Sequence, residues 1–494
     1  MKNSFPKAPH ILTRRSFLRR SACAGLGASA ISNTLLDLRL INSAMAANSV
    51  SGYKALVCLF LSGGNDANNW IVPTDTTTFD AYTAIRGNLA LPKASLLPLW
   101  SDAGGTTAYT DAAGHTYGFH PSCPNLQTLF KEDKLAVMFN VGTLVRPTTR
   151  AQYLSNTKFY TPPQLFSHSD QVTQWQTSVP DAPPTTGWGG RVADLLDATA
   201  NPSSSLSMSV SINGANTFQV GNLVSQYQVS TTGAVTATGD MMSGSSARMR
   251  TMKSILGLTD SNLQRTAFAD VVKNAIAVGD LLNTAIGPTA SDAFWTVPFP
   301  NTTLGNQLKM VARMIHARGD GSAPVANKFN MNRQIFFCGV GGYDTHTSQV
   351  LVSGTDQPTN ANGAHYKLLD EVSRCMLAFQ RAMEQLGVSN NVTTFTASDF
   401  SRTLPTNSQG SDHGWGSHHL IMGGAVKGGQ TYGKLPTFAI NGPDDTGLGR
   451  WIPTIAVDQF SATLAKWFGL DTSSISSVFP NLSRFSSSDI GFML

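Results

Sequence analysis

The chain of 494 residues is poor in charge and lacks long apolar runs. Charged side chains make up 13% of it, against about a quarter in an average soluble domain. After residue 46 no run of about 18 apolar residues occurs, which is the length that a membrane-spanning helix needs. We therefore expect no stable membrane anchor in the mature chain, and a surface rich in uncharged polar side chains.

Several catalytic and structural signatures are also missing. The sequence contains no glycine-rich nucleotide phosphate loop, no Gly-x-Ser-x-Gly elbow and no Cys-x-x-Cys pair. The cysteines show no spacing of a disulfide scaffold or a zinc ribbon, so we predict that Cys58, Cys123, Cys338 and Cys375 act mostly as buried small hydrophobic residues. No Cys or Ser precedes a Pro-x-Arg segment at the spacing that formylglycine formation requires, which argues against a conventional sulfatase.

The formal charge of +5 is concentrated at the amino end. Residues 1–46 contain seven basic side chains and one acidic side chain, which leaves the rest of the chain near −1. A nearly neutral chain offers no basic surface to nucleic acid, so we predict no nucleic-acid partner.

The amino end also contains the three parts of a twin-arginine export signal in order. Arg14 and Arg15 are followed by a mildly apolar stretch at 21–36 and by the small-residue cleavage pattern AMA at 44–46. We predict a signal peptide over residues 1–46, the twin-arginine translocase as a partner during export, and a bacterial periplasmic or secreted product. This route carries folded proteins, which suits a chain that acquires a metal or an exported partner protein before export.

Strand and helix patterns alternate along the remaining residues. Helical periodicity is clearest at 364–386, and we expect the helix at 459–468 to have Asp458 as its N-cap. Alternating strands and helices predict one α/β domain over 47–494 with a mostly parallel sheet. We predict buried strands at 55–61, 135–140, 334–340 and 392–396, and further helices at 263–284 and 303–318.

The segment 201–261 differs from its surroundings because it is rich in Ser, Thr and Gly. Polar and apolar residues alternate at 206–212, as in a half-buried strand. We predict a β-rich insertion or cap here.

Acidic motifs directly follow three of the predicted strands: GGND at 63–66, GYDTH at 342–346 and ASD at 397–399. The ligand crevice of an open α/β sheet lies outside the carboxyl ends of its strands, so the three aspartates should converge. The segment DHGWGSHH at 412–419 adds imidazoles, and such oxygen and nitrogen atoms suit zinc, manganese or iron. Each motif alone also fits an ordinary turn, in which Asp and Gly stabilise the local backbone. The coincidence of all three with the histidines favours a metal site.

These motifs resemble those of the domain of unknown function 1501 family. The resemblance rests on LFLSGGND at 59–66, PQLFSHSDQ at 163–171, GYDTH at 342–346, SDFSRT at 398–403, DHGWG at 412–416 and GGAVKGG at 423–429. That family resembles a divergent branch of the alkaline phosphatase and sulfatase superfamily. The resemblance implies a three-layer α/β fold with a mostly parallel central sheet, helices on both faces, and one or two divalent ions at the carboxyl edge.

The order of motifs in the superfamily implies a set of metal ligands, for zinc first and manganese or calcium as alternatives: Asp66, Asp344, His346, Asp399 and His413. Two features depart from the pattern. Asp344 and His346 are separated by one residue where the superfamily has three. Phe400 follows Asp399 where the superfamily has histidine, so one metal site is short of a ligand. A second assignment stays open, in which Asp412 and His413 form the Asp-His pair and the last ligand is His418 or His419.

Ester hydrolysis at such a site also needs catalytic side chains. Ser167 is the leading candidate nucleophile, ahead of the hydroxyls of Ser169, Thr148 and Thr149. His168 would orient the substrate or the leaving group, and Arg402 would bind an oxyanion through two nitrogens. Turn capping by Ser167 and an ordinary salt bridge of Arg402 are the structural alternatives.

Two functions follow from these residues. The first is an exported metal-dependent hydrolase of phosphate, phosphonate or sulfate esters, acting on a small molecule or on a glycan or lipid head group. The alternative is a non-catalytic periplasmic binding or assembly protein on a degenerate fold of the same kind, which Phe400 favours.

Overall fold

The computed structural model describes residues 52–155, 157–183, 185–234, 247–258, 262–320, 325–350, 359 and 361–494. The predicted signal at 1–46 lies outside these residues, as do 235–246 and 259–261 of the predicted insertion. Within the described ranges, no helix is long and apolar enough to cross a membrane.

A ten-stranded sheet forms the centre of the molecule, and a small three-stranded sheet lies apart from it. In chain order the strands are β1 (Lys54–Leu61), β2 (Ile71–Pro73), β3 (Leu97–Pro98), β4 (Tyr117–Phe119), β5 (Leu135–Gly142), β6 (Ser209–Ser211), β7 (Tyr227–Ser230), β8 (Gly233–Ala234), β9 (Arg333–Val340), β10 (Val392–Ser398), β11 (Ser417–Met422), β12 (Thr431–Tyr432) and β13 (Ile455–Ala456). The helices are α1 (Thr76–Arg86), α2 (Pro124–Lys131), α3 (Arg150–Leu154), α4 (His168–Thr177), α5 (Trp188–Ala200), α6 (Ala247–Leu256), α7 (Leu263–Ile286), α8 (Thr303–His316), α9 (Ala364–Gln385), α10 (Val457–Phe468) and α11 (Ile475–Val478).

The central sheet is mostly parallel. Its order is β12-β5-β11-β10-β1-β9-β6-β7-β8, with β13 also paired to β5. The strand β1 lies between β10 and β9 and runs parallel to both, so the carboxyl ends of these three strands meet at one edge. Antiparallel pairs occur where β11 contacts β10 and β5, and between β7 and β8.

The central strands are buried on both faces. Neighbouring residues of a strand point to opposite sides of the sheet, and every residue of β1 after Lys54 is buried. Both faces of the sheet are therefore covered by other parts of the chain, as expected for strands that are nearly continuous apolar runs. The four cysteines among the described residues, Cys58, Cys123, Cys338 and Cys375, are buried and form no disulfide. This confirms the prediction that they are buried small residues.

The four predicted strands and four predicted helices are confirmed, with ends that differ by a few residues. The predicted cap of the last long helix is wrong. Helix α10 begins at Val457 with Ala456 at the N-cap, so Asp458 lies inside the first turn, where it is buried. In the predicted insertion, β6 pairs in parallel with β9, and the strands β6 to β8 extend the central sheet at one end.

A candidate metal centre at the carboxyl edge of the sheet

Three loops meet where β1, β9 and β10 end. The backbone nitrogen of Gly63 donates to Asp399 Oδ1 at 3.1 Å, and Arg402 Nη1 donates to the Gly63 carbonyl at 2.9 Å. Gly63 has a φ of +117°, and a Cβ atom there would overlap the backbone of Asp344. Glycine is required because it tolerates positive φ and lets the two loops approach closely. The loops are therefore held together by two side chains that bind the Gly63 backbone and by the close approach of Gly63 to the Asp344 backbone.

Three imidazoles point their Nε2 atoms at one carboxylate oxygen, Asp344 Oδ1. The distances to this oxygen are 3.1 Å from His346, 3.5 Å from His168 and 3.6 Å from His413. The Nε2 atoms of His346 and His413 are 2.8 Å apart. Donor atoms of His168, Asp344 and His413 all lie within 4.8 Å of one another. These three potential ligands thus share one small volume, and His346 adjoins it through Asp344 and His413.

Each imidazole is held from behind through its Nδ1 atom. The partners are two carboxylates and a carbonyl, which accept hydrogen bonds, so each Nδ1 carries a hydrogen. Each ring, when neutral, then presents a lone pair at Nε2. Histidines that bind metals in proteins usually have this support. The Nδ1 pairs are His168 with Asp399 Oδ2 at 2.7 Å, His346 with Asp412 Oδ1 at 3.1 Å, and His413 with the Phe166 carbonyl at 2.8 Å.

The donor set fits a divalent ion of the zinc type. With bonds of about 2.0–2.1 Å, the ligand atoms of a tetrahedral zinc ion lie about 3.3 Å apart. The distances from Asp344 Oδ1 to the three Nε2 atoms, 3.1, 3.5 and 3.6 Å, are close to that value. Two unprotonated Nε2 atoms at 2.8 Å repel each other unless a proton or a cation lies between them. Imidazole nitrogens with one carboxylate oxygen are ligands that zinc accepts.

Charge and burial favour the metal-binding ionisation states of Asp344 and His413. Burial raises the pKa of Asp344, but the hydrogen bond and the charge of Arg402 lower it by more, so the carboxyl group stays ionised. Burial lowers the pKa of His413, which favours its neutral form. The hydrogen bond to Asp399 raises the pKa of His168, so protons compete for this site at mildly acidic pH.

Phe400 forms an apolar wall of the centre. Its ring centroid is 4.7 Å from the rings of both His168 and His413, and its side chain is buried. Phe400 occupies the position at which the resembled superfamily has a histidine. It thus packs against the imidazoles of His168 and His413. One of them, on His168, comes from the start of α4 rather than from the loop after β10.

Of the sequence-predicted ligands, the structure brings Asp344, His346 and His413 together directly. Asp399 supports His168 from behind. Asp66 lies elsewhere: it is fully buried, forms an ion pair with Arg86 and accepts a hydrogen bond from Gln349.

His418 and His419, the open alternatives for the last ligand, lie inside β11. Burial lowers the pKa of each to about 3, and their rings pack against Phe139 and Trp175 respectively. Neither contacts the four groups around Asp344 within the described parts of the chain.

The predicted catalytic residues occupy distinct positions. Ser167 lies at the N-cap position of α4, next to His168, and its hydroxyl donates to Asp170 Oδ2 at 2.6 Å. The hydroxyls of Thr148 and Thr149 are bound to groups of their own loop. Arg402 is fully buried and donates to Asp344 Oδ1 at 3.0 Å, so its charge is already paired.

Sequence reasoning missed three parts of this arrangement. His168 was expected to contact substrate, not to join the ligand group. Asp412 was considered as a ligand paired with His413, not as the support of His346, and the Phe166 carbonyl was not considered. The motif PQLFSHSDQ drew attention to His168, but it follows no strand, so its position at the sheet edge could not be derived.

Comparisons with known proteins give one firm result. No curated protein matches the chain. Among solved structures, the crystal structure of Ps i-CgsB in complex with k-i-k-neocarrahexaose has a TM-score of 0.32 and 7% identity, over 86% of this chain and 74% of that chain. The crystal structure of Ps i-CgsB has a TM-score of 0.32 and 8% identity, over 87% and 77%. These likenesses are too weak to support an argument. The family model described as Protein of unknown function (DUF1501) matches residues 53–479, so the chain belongs to that family.

Proposed function

We propose that this chain is an exported, metal-dependent hydrolase of phosphate, phosphonate or sulfate esters. The observation that carries the proposal is the convergence of three Nε2 atoms on Asp344 Oδ1, each ring being supported by an acceptor at Nδ1. The order of the motifs along the chain supports a relation to the alkaline phosphatase and sulfatase superfamily. As part of the same proposal, residues 1–46 direct export to the bacterial periplasm or beyond through the twin-arginine translocase.

His168, His346, His413 and Asp344 would hold the ion, with zinc first and manganese or calcium as alternatives. When bound, the ion would polarise a non-bridging oxygen of the ester and offset the charge that develops there. Arg402 keeps Asp344 ionised and fixes its orientation through Nη2. Phe400 excludes water from one side of the centre, which strengthens the electrostatic interactions inside it.

Ser167 is the proposed nucleophile. Its hydroxyl hydrogen points at Asp170 Oδ2 at 2.6 Å, so the carboxylate can accept the proton as Oγ forms the bond to phosphorus or sulfur. The bond from that atom to the ester oxygen then breaks, and the alcohol leaves after protonation. Water releases the phosphoryl or sulfuryl group from Ser167 in a second step.

The test is an ester panel with zinc-loaded mature protein. We expect turnover of at least one aryl phosphate, phosphonate or sulfate ester, and a loss of about 100-fold or more in Ser167→Ala. Ser155→Ala is the matched control, because Ser155 is an exposed serine that also bonds within its own loop. Full metal occupancy with no turnover of any ester would overturn the hydrolase proposal. The alternative, a non-catalytic binding or assembly protein, would then stand.

A further inference from the structure

Arg450 lies beside the metal centre with its charge uncompensated. Its Nε atom donates to the backbone carbonyl of His413 at 2.8 Å. Its guanidinium carbon lies 4.4 Å from the centroid of the Phe166 ring. Within the described ranges, its two terminal nitrogens have no hydrogen bond and no ion pair. Arg450 therefore presents two free donor groups next to a residue of the centre.

The position of Arg450 is fixed by the loop that carries it. Asp445 is fully buried, and its Oδ1 accepts hydrogen bonds from the backbone nitrogens of Arg450 and Gly447, both at 2.9 Å. On the other side, Phe166 has a φ of +73°, an uncommon conformation for an aromatic residue. Such conformations are strained and concentrate at functional sites. The backbone carbonyl of Phe166 accepts a hydrogen bond from the His413 ring, and the Phe166 ring packs against the Arg450 guanidinium.

Arg402, the arginine that the sequence suggested as an anion clamp, is not available for that role. Its Nε donates to the Ser411 carbonyl at 2.9 Å, its Nη1 to the Gly63 carbonyl, and its Nη2 to Asp344. Each of its three nitrogens already has a partner. Arg450 uses only Nε, so its planar pair of terminal nitrogens can bind an oxyanion.

A second arginine without an acidic partner is tied to the same loop. Arg150 Nη2 donates to Asn441 Oδ1 at 2.9 Å, and the Asn441 backbone nitrogen donates to Asp445 Oδ2 at 2.8 Å. Both carboxylates of this loop are engaged elsewhere: Asp445 by backbone donors, and Asp444 by the Thr437 backbone nitrogen at 2.8 Å and Lys434 Nζ at 3.9 Å. Two arginines attached to the loop therefore make this rim favourable to anions.

We propose that Arg450 binds an anionic group of the substrate at the rim of the metal centre. The inference rests on the proposed function. The substrate must then place a phosphate, phosphonate or sulfate oxygen within reach of Arg450.

Inorganic phosphate and sulfate are suitable probes, titrated by calorimetry into the zinc-loaded and the metal-free protein. We expect Arg450→Gln to raise the phosphate Kd at least tenfold with zinc content unchanged. Arg450→Lys should fall between the two, because it keeps the charge and loses the planar pair of donors. Arg318→Gln is the matched control: Arg318 also stacks on an aromatic ring, Tyr53 at 5.0 Å, and donates to a main-chain carbonyl. It should leave the Kd unchanged.

The outcomes separate this inference from the proposed function. An unchanged Kd in Arg450→Gln, joint loss of zinc and phosphate binding, or no anion binding by the unaltered chain would each overturn the anion role. If the unaltered chain refuses zinc but its phosphate binding still weakens in Arg450→Gln, the anion site stands and the hydrolase proposal fails.

Discussion

Asp344 Oδ1 is the atom on which three imidazoles and the Arg402 guanidinium converge. Asparagine would keep an oxygen for Arg402 but lose the negative charge. We therefore expect Asp344→Asn to fold normally and to bind zinc about 100-fold more weakly or worse, as measured by competition with a chelating dye. Asp75→Asn is the control, because Asp75 pairs with His115 at 3.1 Å outside the centre. Unchanged zinc affinity in Asp344→Asn would contradict the assignment of this ligand.

Asp399 and Asp412 support two different imidazoles, and their exposure differs. The side chain of Asp399 is 3% exposed and that of Asp412 is 52% exposed. Because water can replace the exposed acceptor, we expect Asp399→Asn to lower metal affinity about 10–100-fold and Asp412→Asn to lower it less. In the metal-free protein, the pKa of His168 should fall in Asp399→Asn, which a histidine NMR titration would detect. Equal effects of the two variants on metal affinity would count against this ranking.

At the scale of single residues, sequence could predict the ligands that follow strands, but not their partners. Asp344 was found because it follows β9 within a distinctive motif. Asp66 follows β1 in the same way, yet Arg86 at the end of α1 pairs with it. Nothing in the sequence distinguishes a carboxylate that a later helix will pair from one that stays available.

At the scale of elements, the loop after β1 depends on Gly63. Its positive φ and its closeness to the Asp344 backbone both exclude a side chain. We expect Gly63→Ala to lower the free energy of unfolding by more than about 2 kcal/mol, measured by urea denaturation. Gly114→Ala is the matched control, because Gly114 has a φ of +88° and nothing lies within 4 Å of a Cβ placed there. It should cost only about 1–2 kcal/mol, the strain of the left-handed backbone. Equal losses would show that the closeness of Asp344 is unimportant.

The elements themselves were largely predictable because local pattern and burial agree. The apolar runs of β1, β9 and β10 are buried on both faces, and α9 shows regular helical periodicity. Asp458 misled the prediction, since acidic residues before a helix usually cap it. Here the backbone enters the helix two residues earlier, and the carboxyl group faces the interior.

At the scale of the whole molecule, buried Asp458 links stability to pH. Burial raises its pKa to about 7, by more than Ser178 and Arg191 lower it. Because the folded pKa is above the unfolded value of 3.8, its favourable contribution is complete below about pH 4 and is lost as pH rises towards 7. Asp458→Asn should therefore raise the free energy of unfolding by a few kcal/mol, roughly, at pH 8 and give no gain at pH 4. Denaturant titrations at both pH values check this, and an equal gain at both would contradict it.

The meeting of distant segments at one sheet edge is a property of the whole fold. Parallel pairing of β1 with β9 and β10 was predictable, and with it the convergence of their loops. The positions of α4 and of the 441–450 loop beside the candidate site were not predictable, because they depend on long-range packing that the order of strands does not determine.

The metal content of the mature chain tests the central claim most directly. Protein purified without a histidine tag and without added metal would be measured by elemental mass spectrometry, and the measurement repeated after incubation with zinc, manganese and calcium. We expect at least one tightly held ion per chain in the unaltered protein and a loss of that ion in Asp344→Asn. A well-folded chain that holds no ion and takes up none of the three would contradict the account.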